Sequence, residues 1–287
     1  MVRSTDMSAA PQLATAGYGM AAVIAWGTSD FLGGYATRRA NAFVFTCVVN
    51  LGGLLLVSAL ALASHPTLPS GRSAAWALAG GVSGGASLAL FYRALSSGRM
   101  GLTAPVAAVL SAAIPMIFSI FTEGFPGKIP ILGFVFAAAG LWLITRAEQG
   151  SKPEGIGLAV LAGIGFAGFY LCIRQAGDGS PVWFAALTRA GGLIVTGLIV
   201  LLQGSFRDIT ASGVRWGVLT GCIDSFGTML FVLASQAGRL DEAVVISSLY
   251  PAVTVLLARV VLKEHFTRWR FVGLLAALAA VPMIAAQ

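Results

Sequence analysis

The chain has 287 residues, of which 57% are apolar and only 10% charged, with a formal net charge of +7. Soluble domains run nearer about 25% charged, so the surplus apolar surface must face lipid, and a mean hydropathy of +0.87 agrees. The lysines and arginines stand singly between apolar runs and build no basic stripe, so they read as interfacial anchors and nucleic acid is set aside as a partner.

A bilayer core takes roughly 20 residues of helix. Taken in chain order, runs bounded by charge, proline or Gly-Ser clusters predict spans at 13–37, 42–63, 74–97, 102–121 and 129–145. A second series follows at 155–172, 181–202, 214–237, 243–262 and 271–286. The polar stretch 1–11 is short, and the apolar run after it is too long for a signal peptide, so it is taken as the first span. The longest connection between the two series, 146–154, is the natural seam, giving one unit over 1–150 and a second over 151–287.

The two units are copies. Shifting the sequence by 140 positions sets Trp76 on Trp216, Phe91 on Phe231, the turn Gly98-Arg99 on Gly238-Arg239, and Gly133 on Gly273. A constant offset across both halves marks an internal duplication. With an odd number of spans per copy, the second copy must enter the membrane from the opposite face. The expected fold is therefore an all-α integral membrane protein, ten transmembrane helices arranged as two inverted five-helix repeats. That architecture is common among secondary transporters, with the substrate near the midplane where the repeats meet. Both termini fall on one side. The loops opposite them hold more Lys and Arg, which by the positive-inside rule puts the termini outside.

Charges inside a span are costly and are functional candidates by default. Four qualify: Asp30, Arg93, Arg189 and Asp224, with Asp224 the deepest acid in the chain. At about 1.5 Å of rise per residue, Asp30–Arg93 and Asp224–Arg189 are both within side-chain reach. The plain reading of each is a structural ion pair or a snorkelling arginine. The functional reading is a substrate or proton site. Trp26, Tyr92, Phe166, Tyr170 and Tyr250 lie at or beyond the middle of their spans, where aromatic faces beside an acid suit an organic ammonium. Core packing is the competing account of each ring. Pro105, Pro115 and Pro251 interrupt spans four and nine and free carbonyls of the kind that line cavities, with Ser247-Ser248 adding hydroxyls.

Glycine clusters such as Gly80-Gly81 and Gly84-Gly85 read as close helix packing rather than nucleotide loops. Cys47, Cys172 and Cys222 read as small buried hydrophobes. His65 and His265 fall in loops, and no Ser/His/Asp set, metal cluster or phosphate loop can be assembled from the spans. The chain is not expected to be an enzyme, to hold a metal or to need a cofactor beyond a coupling proton.

The segment Phe91-Tyr92-Arg93-Ala94-Leu95-Ser96-Ser97-Gly98, then Ala104-Pro105-Val106, Ile114-Pro115 and Thr122-Glu123-Gly124, resembles the EamA-type repeat of the drug/metabolite transporter superfamily. Tyr250-Pro251, Leu262-Lys263-Glu264 and Trp26-Gly27 are similar to the same pattern. The resemblance covers essentially the whole chain. It implies a multi-pass permease of the inner membrane, with a lipid bilayer and a small-molecule substrate as its partners, as a monomer or a homodimer. It also implies cytoplasmic termini, against the charge count, and interfacial roles for Glu123 and Glu264. The expected activity is export of small metabolites such as amino acids by alternating access, with spans one, three, four, six, eight and nine around the substrate. Export of hydrophobic cations or drugs is the alternative within transport. A non-transporting scaffold or sensor is the alternative of another class.

Overall fold

A computed structural model describes residues 9–97, 100–123, 128–146, 155–177, 179–205, 210–237, 246–247, 249–263 and 268–285. The Gly98-Arg99 and Gly238-Arg239 turns, most of the connection 146–154, and Ser248, Glu264 and His265 lie outside the described residues, as does the side chain of Glu123.

Within that range there are ten helices. The first five are α1 (Ala9–Ala36), α2 (Ala42–Ser64), α3 (Gly71–Ser97), α4 (Met100–Glu123) and α5 (Lys128–Arg146). The second five are α6 (Ile156–Ala176), α7 (Pro181–Gln203), α8 (Ala211–Ala237), α9 (Tyr250–Val261) and α10 (Arg268–Ala285). Local chemistry sets several ends. The Asn41 side chain accepts from the Phe43 and Val44 amides to start α2, satisfying donors the first turn cannot pair itself. Pro181, which has no amide proton to lose, opens α7, and Gly204 at φ 64° closes it by returning its N–H to Leu201 and Val200.

Helices α2, α3, α6, α7 and α8 are each long and apolar enough to cross a membrane, and α4, α5, α9 and α10 carry shorter apolar stretches. Large apolar side chains such as Leu55, Leu62, Ile194, Leu202 and Val260 are exposed on the outside of the bundle. A soluble protein would pay heavily in hydration for such a surface, whereas lipid accepts it. The chain is a multi-pass membrane protein.

Packing runs mainly between the halves. Helix α3 lies on α6 and α7, α8 on α1 and α2, α4 on α6, α9 on α1, α2 on α7, and α5 on α10. Exchanging each helix for the one five places along reproduces these principal pairings. The 140-residue offset therefore reappears in three dimensions. Phe91 and Phe231 are 0% and 1% exposed, while Trp76 and Trp216 are 37% and 42% exposed. It also sets the closest crossings. Gly81 of α3 lies against the backbone of Thr188 in α7, and its counterpart Gly221 of α8 lies against the backbone of Val49 in α2. A Cβ at either glycine would collide with main chain, which cannot rotate away.

Candidate functional site: a polar cavity between the halves

A cavity of about 80 Å³ opens between the two halves, large enough for a few waters or a small polar headgroup. Helix α1 brings Trp26 and Asp30 to it, and α2 brings Asn50; α3 supplies Gly81, Gly84, Gly85 and Leu88. From the second half come Phe166, Phe169 and Tyr170 of α6, Thr188 and Arg189 of α7, Asp224 and Thr228 of α8, and Tyr250 of α9.

One side is a closed ionic cluster. Arg189 Nη2 pairs with Asp224 Oδ2, as the sequence depth allowed. Arg189 Nη2 also donates to Thr228 Oγ1 at 3.2 Å, and Nη1 reaches Asn50 Oδ1 at 3.5 Å. The single proton of Ser29 Oγ is shared between Trp26 O at 2.9 Å and Asp224 Oδ1 at 3.2 Å. Thr228 Oγ1, one turn beyond Asp224, donates to its backbone carbonyl at 3.1 Å. The cluster joins α1 and α2 of the first half to α7 and α8 of the second. Within it, only the Nε of Arg189 is a buried donor with no partner among the described residues.

The other side is an open carboxylate. Asp30 is 5% exposed, faces the cavity and, among the described residues, makes neither a hydrogen bond nor an ion pair. Since Arg189 and Asp224 cancel, an ionised Asp30 leaves the cavity with one uncompensated negative charge. A buried carboxylate without a partner is costly, and a cation, a proton or hydrogen-bonding water in the cavity relieves it. The wall beside it is aromatic. Trp26 packs on Phe231 with centroids 5.3 Å apart and meets Tyr250 edge-on at 6.3 Å. Tyr170 bridges Phe231 at 6.0 Å and Phe169 at 5.4 Å. Two electron-rich rings, Trp26 and Tyr170, thus line the same space as the acid, the arrangement that attracts an organic cation.

Several expected site residues lie elsewhere. Arg93 is exposed on α3 and forms no pair with Asp30. Its neighbours Tyr92 and Ala94 point inward, and the turn of the helix carries Arg93 off that face. Tyr92 is fully buried against Phe45, with ring centroids 5.9 Å apart, and does not line the cavity. Of the prolines, Pro105 and Pro251 are buried and Pro115 half-buried, and none of the three lines the cavity. Among the described residues α4 contributes none to the lining, whereas α2 and α7 do, which differs from the expected set of helices. The sequence reading passed over Asn50, Thr188, Thr228 and Ser29. Asn50 carried a usable signal, an amide side chain in the middle of the apolar run of α2. The hydroxyls carried little, since Ser and Thr in membrane helices commonly bond their own backbone.

A multi-pass helical bundle whose two halves enclose a small, charged, aromatic-walled cavity is the form of a membrane permease. The profile of the EamA-like transporter family matches residues 14–146 and again 153–286. The chain therefore belongs to the EamA-like transporter family, and families of this kind are membrane transporters rather than enzymes. No curated protein matches the sequence. A protein of known crystal structure shares the fold, with a TM-score of 0.66 over 94% of this chain and 95% of that one, at 17% identity.

Proposed function

We propose that the chain is a secondary transporter that carries a small organic substrate with a protonated amine through the central cavity, with Asp30 as the counter-charge. The reading rests on one observation: Asp30 is a buried carboxylate facing the cavity, with no partner among the described residues. Trp26, Tyr170 and Tyr250 are the aromatic contacts of the bound cation, and Asp224 and Arg189 form the fixed polar wall. In the absence of substrate a proton neutralises Asp30, so that one cation exchanges for the other, as in a proton-coupled exporter. Two inverted five-helix repeats rocking about the cavity supply alternating access. The cell inner membrane is the proposed location.

The expected amino-acid substrate is the second reading. An amino acid brings a carboxylate as well as an amine. Of the two arginines proposed for the site, Arg93 is exposed and Arg189 is already paired with Asp224. The unpartnered Nε of Arg189 is what favours this reading. Reconstitution into liposomes distinguishes the two. With a pH gradient, a labelled primary amine should move faster than in protein-free liposomes, and that excess flux should be competed by other amines, while amino acids compete weakly. Flux of amino acids with no effect of amines would overturn the amine reading. Absence of flux for either class, in liposomes where the protein is shown to be inserted, would favour a scaffold or sensor.

A further inference from the structure

Tyr92 of α3 is fully buried, and its hydroxyl is the only tyrosine hydroxyl among the described residues that is buried with no hydrogen-bond partner. A buried phenol ordinarily finds one. Packing alone would be served as well by phenylalanine, which has the same ring and no polar atom to strand.

The contacts fix where that hydroxyl lies. Thr37, just past the end of α1, donates to the Tyr92 carbonyl at 3.1 Å. From there the side chain runs back along α1. A Cβ at Gly33 would collide with Tyr92 Cδ1, Cε1 and Cζ, so Gly33 is glycine to let the phenol lie against the helix. Cζ carries the hydroxyl. Asp30 is three residues before Gly33, on the adjoining turn of the same face. Phe45 of α2 packs edge-on to the ring, with centroids 5.9 Å apart. The hydroxyl stands within electrostatic range of Asp224, Asp30 and Arg189. Of these, Asp224 is already taken by Arg189 and Ser29, and a guanidinium has no site to accept a proton. Asp30 is the acceptor left over. A donor without an acceptor and an acceptor without a donor therefore sit on adjoining turns of one helix face.

We infer that Tyr92 is a positioning residue for Asp30: its hydroxyl donates to the carboxylate whenever Asp30 is ionised and no cation is bound. Rotation of the Asp30 side chain, or one cavity water, spans the remaining gap. This deepens the amine reading above by naming what steadies the acid between one cation and the next. A donor to the charged form sets the pH at which the proton leaves. The other titratable and charged groups around Asp30 are Asp224 of α8 with its partner Arg189 of α7, Tyr170 of α6 and Tyr250 of α9, and none of them is altered by removing the Tyr92 hydroxyl.

The test is infrared titration of the full-length protein in lipid. The carboxyl band that Asp30→Asn removes reports protonated Asp30. Tyr92→Phe keeps the ring on Gly33 and Phe45 and takes away only the hydroxyl. The midpoint at which that band disappears should move to higher pH by about one pH unit, the scale of one hydrogen bond to a charged group. Tyr35→Phe, which removes an exposed hydroxyl from the same α1, should leave the midpoint in place. In amine flux, the pH profile of Tyr92→Phe should move in the same direction and by the same amount. An unmoved midpoint in Tyr92→Phe, or an equal move in Tyr35→Phe, overturns the inference while leaving the amine reading intact. A moved midpoint in a protein that carries no amine overturns the amine reading and leaves the role of Tyr92 standing. A wild-type band that persists to alkaline pH overturns both, since no ionised Asp30 then exists to be steadied.

Discussion

Two acids share one cavity and are treated in opposite ways. Asp224 is held by Arg189 and Ser29, within a cluster that includes Thr228 and Asn50, while Asp30 is held by nothing among the described residues. The duplication makes the contrast sharper. The 140-residue offset equates Asp30 with Tyr170 and Asp224 with Gly84, and all four line the cavity. Neither acid has an acidic counterpart, whereas Trp26 has the aromatic counterpart Phe166. Duplication supplied the frame and part of the aromatic wall, and the charges were placed on it asymmetrically. A fully paired acid fixes structure, and an unpaired one is available for a ligand.

The comparison can be broken most forcefully at Arg189. Replacing it with Ala leaves Asp224 buried without its partner, which should cost about 3–5 kcal/mol, seen as a large drop in the melting temperature in detergent. The double variant Arg189→Met, Asp224→Leu should recover most of that loss, since the two effects are coupled. A single variant as stable as wild type would show that the pair is not structural. Asp30→Asn is the opposite case. Its melting temperature should equal or exceed that of wild type, while amine flux falls about 100-fold, the equivalent of about 2.7 kcal/mol and within the range for removing one member of a buried charge pair. Lost stability with intact flux would reverse the roles given to the two acids. Trp26→Leu keeps apolar bulk and removes the indole face, so amine affinity should fall about fivefold, a cation–π contribution of about 1 kcal/mol. An unchanged affinity would take the aromatic wall out of recognition. The smallest effect belongs to Ser29→Ala, which removes the hydroxyl shared between Trp26 O and Asp224 and should lower stability by about 1 kcal/mol, with flux close to wild type.

Much of this was legible in the chain. The helices, their order and the duplication follow from apolar run length and a constant offset, and burial of Asp30, Asp224 and Arg189 follows from their place within apolar runs. The Arg189–Asp224 pair was within reach of a depth estimate. Rotation about each helix axis was not legible, because spans that are apolar on every side show no preferred inward face. Arg93 illustrates the limit: its depth leaves Asp30 within side-chain reach, but it lies on the exposed side of α3. Pro105 and Pro115 illustrate another, since a helix break does not say which helices surround the cavity. Asn50 was legible too, since a neutral amide in the middle of an apolar run can hold a buried charge, here Arg189.

Helix α5 rests chiefly on α10, where Gly140 meets the backbone of Gly273 and Ala277. During synthesis, α5 therefore leaves the ribosome well before its mate exists. Its glycine-marked face must wait in the lipid until the final helix is delivered, so the joint can close only when translation is nearly finished. A chain stopped short of Arg268 would lose more than its last span: it would also release an earlier one whose packing, among the described residues, is almost all against it.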